Sequence, residues 1–256
     1  MDDEDKQIGV EELSAETLAA LQAFLHSKDE ANGVTEDFGL SQFWYTDETA
    51  QTLAQAVMNI ADEAANAADG GDDEGGIAIL CSPTCLKGMR DTPEGRSRKN
   101  VKILEYDRRF GETYPEEFVF YDVYDVEGLL REHPEMEHAY DAILADPPYT
   151  ESETVVATLE GMRRMAKLPI TPKDANGVPG VDFTPCVFVS ALLSRDIFRD
   201  FGFRPTTYRL SFSSKFATPM YTYTNFEPLE TFPLGSWLED GEIGDQQNAI
   251  VQQQTA

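Results

Sequence analysis

The stretch from Tyr140 to Tyr149, Tyr-Asp-Ala-Ile-Leu-Ala-Asp-Pro-Pro-Tyr, constrains the fold more than any other part of the chain. Ala142 to Ala145 is apolar without alternation, as in a strand covered on both faces of a parallel sheet. Asp146 follows at the carboxyl end. Pro147 and Pro148 have no N–H to give to a ladder, so the strand must stop there. The result is a rigid ledge carrying one carboxylate, exposed carbonyl acceptors and the ring of Tyr149. Such a ledge can grip an amino group: acceptors draw on its hydrogens and the ring packs against it. Taken alone, the same four residues also suit an ordinary strand-to-turn junction.

The other apolar runs place this strand in an alternating series. Ile77–Cys81, Val101–Glu105, Phe118–Tyr121, Tyr140–Ala145 and Cys186–Ser190 read as strands. Between and after them come a turn and short helix at 83–90, a helix at Glu153–Lys167 with Val156, Leu159, Met162 and Met165 on one face, and a short helix at Ser194–Phe201 ended by Gly202. Thr207–Ser213 and Met220–Phe226 alternate apolar with polar residues, as an antiparallel hairpin would. Upstream, Ser14–Ser27 has helical spacing, and Thr46 or Asp47 caps a long helix through about Ala65. Segments 28–40, 69–76, 91–100 and 168–185 read as loops. The alternation predicts an α/β fold, an open and mostly parallel sheet with helices on both faces. Ligands of such sheets bind outside the carboxyl ends of the strands, near the topological switch point. Residues 1–12 read as a disordered acidic tail. Residues 13–230 form one domain, with N-terminal helices at 14–66 and a Rossmann-like core at 76–230, and 231–256 is a C-terminal tail.

A chain of 256 residues with 41% hydrophobic content can bury a sizeable core. Its net charge of −27 points away from DNA and RNA, which are held through Lys and Arg surfaces, and toward a basic protein or a small molecule. Part of that charge, in the N-terminal tail and in Asp69–Glu74, also serves plain solubility. Cys81, Cys85 and Cys186 are an odd count in strand-like contexts, which fits a reducing cytoplasm. No His or further Cys completes a zinc site around Cys81 and Cys85, so no metal is expected. No apolar run reaches membrane-span length. The expected state is a monomer.

Asp146-Pro147-Pro148-Tyr149 resembles the amino-methylating motif of class I S-adenosylmethionine-dependent methyltransferases. That resemblance implies a donor whose amino-acid moiety, ribose and adenine each need a partner, and each strand end offers a candidate. After the first strand, Ser82 and Thr84 stand where such enzymes often carry a glycine-rich loop. After the second, Glu105 can clamp two vicinal ribose hydroxyls with two acceptor oxygens, while Asp107 suits a local backbone hydrogen bond. After the third, Asp122 can accept from the adenine amine, with Val123 or Tyr124 packing on the ring. Ahead of the long helix, Trp44 can pack while Thr46 and Thr49 offer hydroxyls to a carboxylate at the helix N-terminus. Asp146 serves donor and acceptor sides alike. Asp146, Pro147 and Tyr149 are the candidate catalytic residues, and Pro148 and Tyr149 also border the substrate.

The longer runs Leu40-Ser41-Gln42-Phe43-Trp44-Tyr45, Glu48-Thr49-Ala50, Glu105-Tyr106-Asp107-Arg108-Arg109-Phe110, Phe118-Val119-Phe120-Tyr121-Asp122 and Ala145-Asp146-Pro147-Pro148-Tyr149 carry a closer resemblance. Together they resemble the eukaryotic elongation factor 1-alpha lysine methyltransferases, a family first described as N6-adenine methyltransferase-like. The resemblance covers roughly residues 14–228. It implies a class I methyltransferase sheet of seven strands with an antiparallel C-terminal hairpin strand, S-adenosyl-L-methionine as donor, and a lysine of elongation factor 1-alpha as acceptor. Lys215 and Phe216 stand, in a departing Lys-Phe-Ala run, where the resemblance places the substrate border. Two other readings remain open to the residues. An adenine of DNA or RNA would use the same ledge with Tyr149 stacked on a flipped base. A non-catalytic relic would have lost the strand-end acids, which are all present.

Overall fold

A computed structural model describes residues 42–69, 74–148, 151–173, 177–191, 195–214 and 218–239, all within the unit Glu36–Ala256. The acidic tail at 1–12 and the helix expected at Ser14–Ser27 lie outside the described residues. Seven strands form one sheet: β1 Ile77–Leu80, β2 Val101–Glu105, β3 Phe118–Phe120, β4 Ala142–Ala145, β5 Cys186–Ala191, β6 Arg204–Arg209 and β7 Met220–Thr224. Their order is β3-β2-β1-β4-β5-β7-β6. β1 to β5 run parallel, and β7 is antiparallel to both of its neighbours. Strand order reverses between β1 and β4, where Leu80 pairs with Ala145. That is the switch point at which such sheets open a crevice.

Continuous apolar runs in β1 and β4 reflect burial on both faces, since successive side chains point to opposite sides. Ile77 and Ile79 join one core with α1 (Asp47–Asp69) and α2 (Pro83–Arg90). Ala78 and Leu80 join the other core with α5 (Val126–Glu132), α6 (Ser152–Met165) and α7 (Arg195–Asp200). Helix α1 has Asp47 and Glu48 in its first turn, where the helix dipole favours acids. Thr46 Oγ1 accepts the N–H of Thr49 at 3.3 Å, as the capping expectation required. The two helices of the first core touch at Gly88, where a Cβ would stand 2.5 Å from the carbonyl carbon of Ala50. Only a glycine permits that approach.

Several boundaries differ from the sequence reading. The expected loop at 91–100 contains a short helix, α3 (Pro93–Ser97), because Thr92 Oγ1 caps it by accepting from Gly95 N and Pro93 opens it. Short α4 (Phe110–Thr113) and α5 were not expected; Asp125 caps α5 by accepting from Gly128 N. Expected strand Thr207–Ser213 lies earlier, at Arg204–Arg209, since Phe203, Pro205 and Thr206 are buried and the register shifts between Pro205 and Arg209. Residues 211–213 leave the sheet to pair with 44–46 instead: Thr46 N donates to Ser211 O at 3.0 Å and Ser213 N to Trp44 O at 2.8 Å. The domain also continues past the expected boundary at 230. Leu234 and Leu238 are buried, Leu238 N donates to Pro205 O, and Trp237 Nε1 donates to Thr224 Oγ1 at 2.8 Å. This stretch covers the edge strand β6, an edge that would otherwise stand open.

Candidate active site

Hydrogen bonds that extend the ladder one residue past each strand align the strand ends in a row. Cys81 N donates to Leu104 O, Tyr121 N to Glu105 O, and Asp146 N to Leu80 O, all within 2.8–3.1 Å. Beyond them lies a cavity of about 480 Å³, the size of a small-molecule site. Its floor at the switch point is a sharp turn: Cys81 has φ +57°, the left-handed region that usually calls for glycine. The turn puts Ser82 at the N-terminus of α2, yet its hydroxyl does not cap the helix. Tyr121 Oη is buried without a hydrogen-bond partner among the described residues but lies against α6, where a Cβ at Gly161 would stand 2.4 Å from it, whereas Ser82 Oγ is buried without such a partner at the cavity lining. Buried polar groups in that state mark a place where a ligand can satisfy them.

The expected strand-end residues converge here. Trp44, Ser82, Thr84, Glu105, Asp122, Asp146, Pro147 and Pro148 all line the cavity. Glu105 is buried and its Oε1 accepts the Asp107 N–H at 3.0 Å. A carboxylate has about four acceptor positions, so capacity for hydroxyls remains. Asp107 does serve the local backbone, accepting from Arg109 N, and also takes the Arg109 guanidinium and Gln42 Nε2. Asp122 accepts from Tyr124 N at 2.9 Å.

Thr46 and Thr49 are the exceptions. Neither lines the cavity. Thr49 is buried and its Oγ1 accepts Ser211 N at 3.1 Å, while Thr46 bonds to Thr49. Their hydroxyls hold the roof segment 42–46 to the 208–213 strap rather than facing a ligand. Tyr149, Lys215 and Phe216 lie outside the described residues.

Tyr45, given no role by sequence reading, is placed centrally. Its hydroxyl donates to Asp146 Oδ2 across 101 positions in the chain. Glu151 and Met220 also line the cavity unforeseen. An acid following the proline ledge was visible in the sequence, but nothing marked which way it would face.

Burial governs the electrostatics. It pushes the Asp146 carboxyl up to about 7; the Tyr45 hydrogen bond opposes this and the Glu105 charge adds to it. Burial likewise pushes Glu105 to about 7, against the backbone N–H bond from Asp107. The Cys81 thiol is driven well above its usual range by burial and then by Glu105, Asp146 and Asp122, so it is no nucleophile. Glu105, Asp122, Asp146 and Glu151 are the acids of the lining, and no described lining residue is Lys, Arg or His. A cavity of this composition suits a cation or an amine and repels phosphate.

A family model described as "Probable N6-adenine methyltransferase" matches residues 36–228. "EEF1A lysine methyltransferase 1" of Gallus gallus is 39% identical over 181 residues, which cover 65% of this chain and 77% of that protein. The protein of the same name from Homo sapiens is 35% identical over 179 residues, covering 65% and 73%. "Protein-lysine N-methyltransferase M142.8" of Caenorhabditis elegans is 33% identical over 174 residues, covering 62% and 73%.

Proposed function

The chain belongs to the family described as probable N6-adenine methyltransferases, and within it we propose that this protein is an S-adenosylmethionine-dependent lysine methyltransferase of elongation factor 1-alpha. The observation that carries the choice of amine is that no described residue of the cavity lining is Lys, Arg or His. A flipped adenine would bring its flanking phosphates to such a site and need cations to hold them. A lysine brings positive charge instead. The names of the similar curated proteins favour the same amine.

Bound in the cavity, S-adenosylmethionine would supply an electrophilic methyl group on a sulfonium sulfur. The residues fit it. Ser82 has a buried hydroxyl awaiting a partner, Glu105 can accept from the ribose hydroxyls, and Asp122 from the adenine amine, with Val123 and Tyr124 at hand for the ring. Asp146 and the Pro147 carbonyl orient the lysine amine, and Pro148 borders it. A free lysine has a pKa of about 10.4 and must lose a proton before its lone pair can attack. A desolvated cavity lowers that value, and Asp146, pushed up to about 7, binds a proton far more readily than a solvent-exposed carboxylate. Alignment of the two reactants supplies most of the remaining acceleration. The free thiols of Cys81, Cys85 and Cys186 support placement in the reducing cytoplasm.

The test is methyl transfer from labelled donor to purified elongation factor 1-alpha, to DNA and to RNA, with wild type and Asp146→Ala. Label on the protein's lysine, lost in the variant while the fold is retained, is expected. Label on nucleic acid alone would overturn the lysine reading.

A further inference from the structure

We propose that Tyr45 is a positioning residue for Asp146, its hydroxyl engaging Oδ2 so that Oδ1 is the acceptor left for the incoming amine. This rests on the reading of Asp146 as the residue that orients the substrate amine.

Packing alone does not account for a tyrosine here. Tyr45 is 4% exposed, and its ring lies against Phe212 with centroids 5.1 Å apart. A phenylalanine would fill that space equally well. The hydroxyl is what needs explaining, and its partner is the one carboxylate at the end of β4. Asp146 is fixed through its backbone by Leu80 O, but that bond leaves the side-chain torsions free. Among the described residues Tyr45 is the side chain that donates to it. Glu105 at the end of β2 adds like charge, and the thiols of Cys81 and Cys85, both driven up by burial, also lie near Asp146. Tyr208 on β6 is the further titratable group near Tyr45.

Tyr45 is itself held on both sides, so the donor is in place before any ligand arrives. Its backbone bridges Phe212, and Ser213 Oγ donates to its carbonyl at 2.9 Å. Trp44 O and Thr46 N are tied to Ser213 and Ser211. A donor fixed by the fold needs no ordering during the reaction, which is the condition for useful preorganisation. The hydrogen bond also favours the charged form of Asp146, so losing it raises the pH at which that carboxylate titrates.

The experiment is Tyr45→Phe, which keeps the ring and removes the donor, assayed from pH 5.5 to 9 beside Asp146→Asn. Loss of a charge-assisted bond predicts a kcat lower by roughly 10- to 100-fold, with KM for both substrates within about threefold. The acid limb of the rate profile should move up by about one pH unit. If Asp146→Asn turns over normally, the reading of Asp146 fails. If Asp146→Asn is inactive while Tyr45→Phe keeps the wild-type kcat and pH profile, the positioning role fails. Should Tyr45→Phe not fold, carbon-13 titration of wild-type Asp146 carboxyl and Tyr45 Cζ decides. A Tyr45 resonance that follows the Asp146 midpoint supports the role, and one that ignores it overturns it.

Discussion

Glu105→Gln should make the ligand-free protein more stable at alkaline pH while weakening donor binding. Glu105 is 7% exposed, and burial pushes its carboxyl from an ordinary 4.5 to about 7. At 1.36 kcal/mol per pH unit, that gap means about 3 kcal/mol of folding stability withheld once the group is charged. The sign follows from linkage. A raised folded-state value means the native protein holds its proton longer than the unfolded chain. The stability linked to that proton is fully present below pH 4.5 and is lost as pH rises through about 7. Between pH 5.5 and pH 8 the loss due to Glu105 is therefore roughly 2 kcal/mol.

Glutamine keeps an oxygen for the Asp107 N–H and has no charge to desolvate. Urea unfolding of wild type and Glu105→Gln at both pH values should show a stability gap that opens by roughly 2 kcal/mol toward pH 8, or about 4–8 °C in Tm. Asp146 contributes a shallower slope in Glu105→Gln, because the Glu105 charge no longer helps to raise it, so the gap opens by at least that much. The same variant should bind S-adenosylmethionine about tenfold more weakly, because one acceptor oxygen replaces two. Parallel stability curves from pH 5.5 to 8 would show that Glu105 is not held at raised pKa, and the electrostatic account of the cavity would fall with it.

Two further substitutions separate ligand contacts from scaffold. Ser82→Ala removes a buried hydroxyl that makes no bond among the described residues, so stability should hold or rise by about 1 kcal/mol while donor affinity falls roughly fivefold by calorimetry. Unchanged affinity would remove Ser82 from the site. Thr49→Ala deletes the acceptor of Ser211 N–H and should cost about 1 kcal/mol by chemical unfolding, with donor affinity within about twofold. Affinity lost without stability would restore Thr49 to the binding site.

The central strands β1, β4 and β5 were legible because they are apolar runs of four to six residues bounded by turn signals, too short for a buried helix. Four parallel strand ends carry Ser82, Glu105, Asp122 and Asp146, so the positions of these residues followed once the strands were placed. Short capped helices were less legible. Thr92 and Asp125 cap segments too brief to show helical spacing, and only the tertiary setting holds such segments in helical form. The hairpin slipped for a related reason: 207–213 alternates along its length, but 211–213 pairs with the roof segment rather than with β7. Alternation reports a half-buried extended segment and is silent about its partner.

Thr46 and Thr49 show why a motif near a site is not a site. Their place at a helix N-terminus suited an anion, but that reading assumed the helix end faced the strand ends. Instead Ser211 closes over it, and the hydroxyls that sequence offered to a ligand are taken by the backbone. Tyr45 was missed for the converse reason. It sits in a run of aromatics that packing explains, and only the fold brings its hydroxyl to Asp146. The same distinction applies to charge. A net charge of −27 describes the whole chain and does not say what any one surface binds. The cavity lining does: no described Lys, Arg or His stands there to hold a nucleotide's phosphates. A proline ledge that could grip either kind of amine is therefore set in surroundings that favour the amine arriving with positive charge.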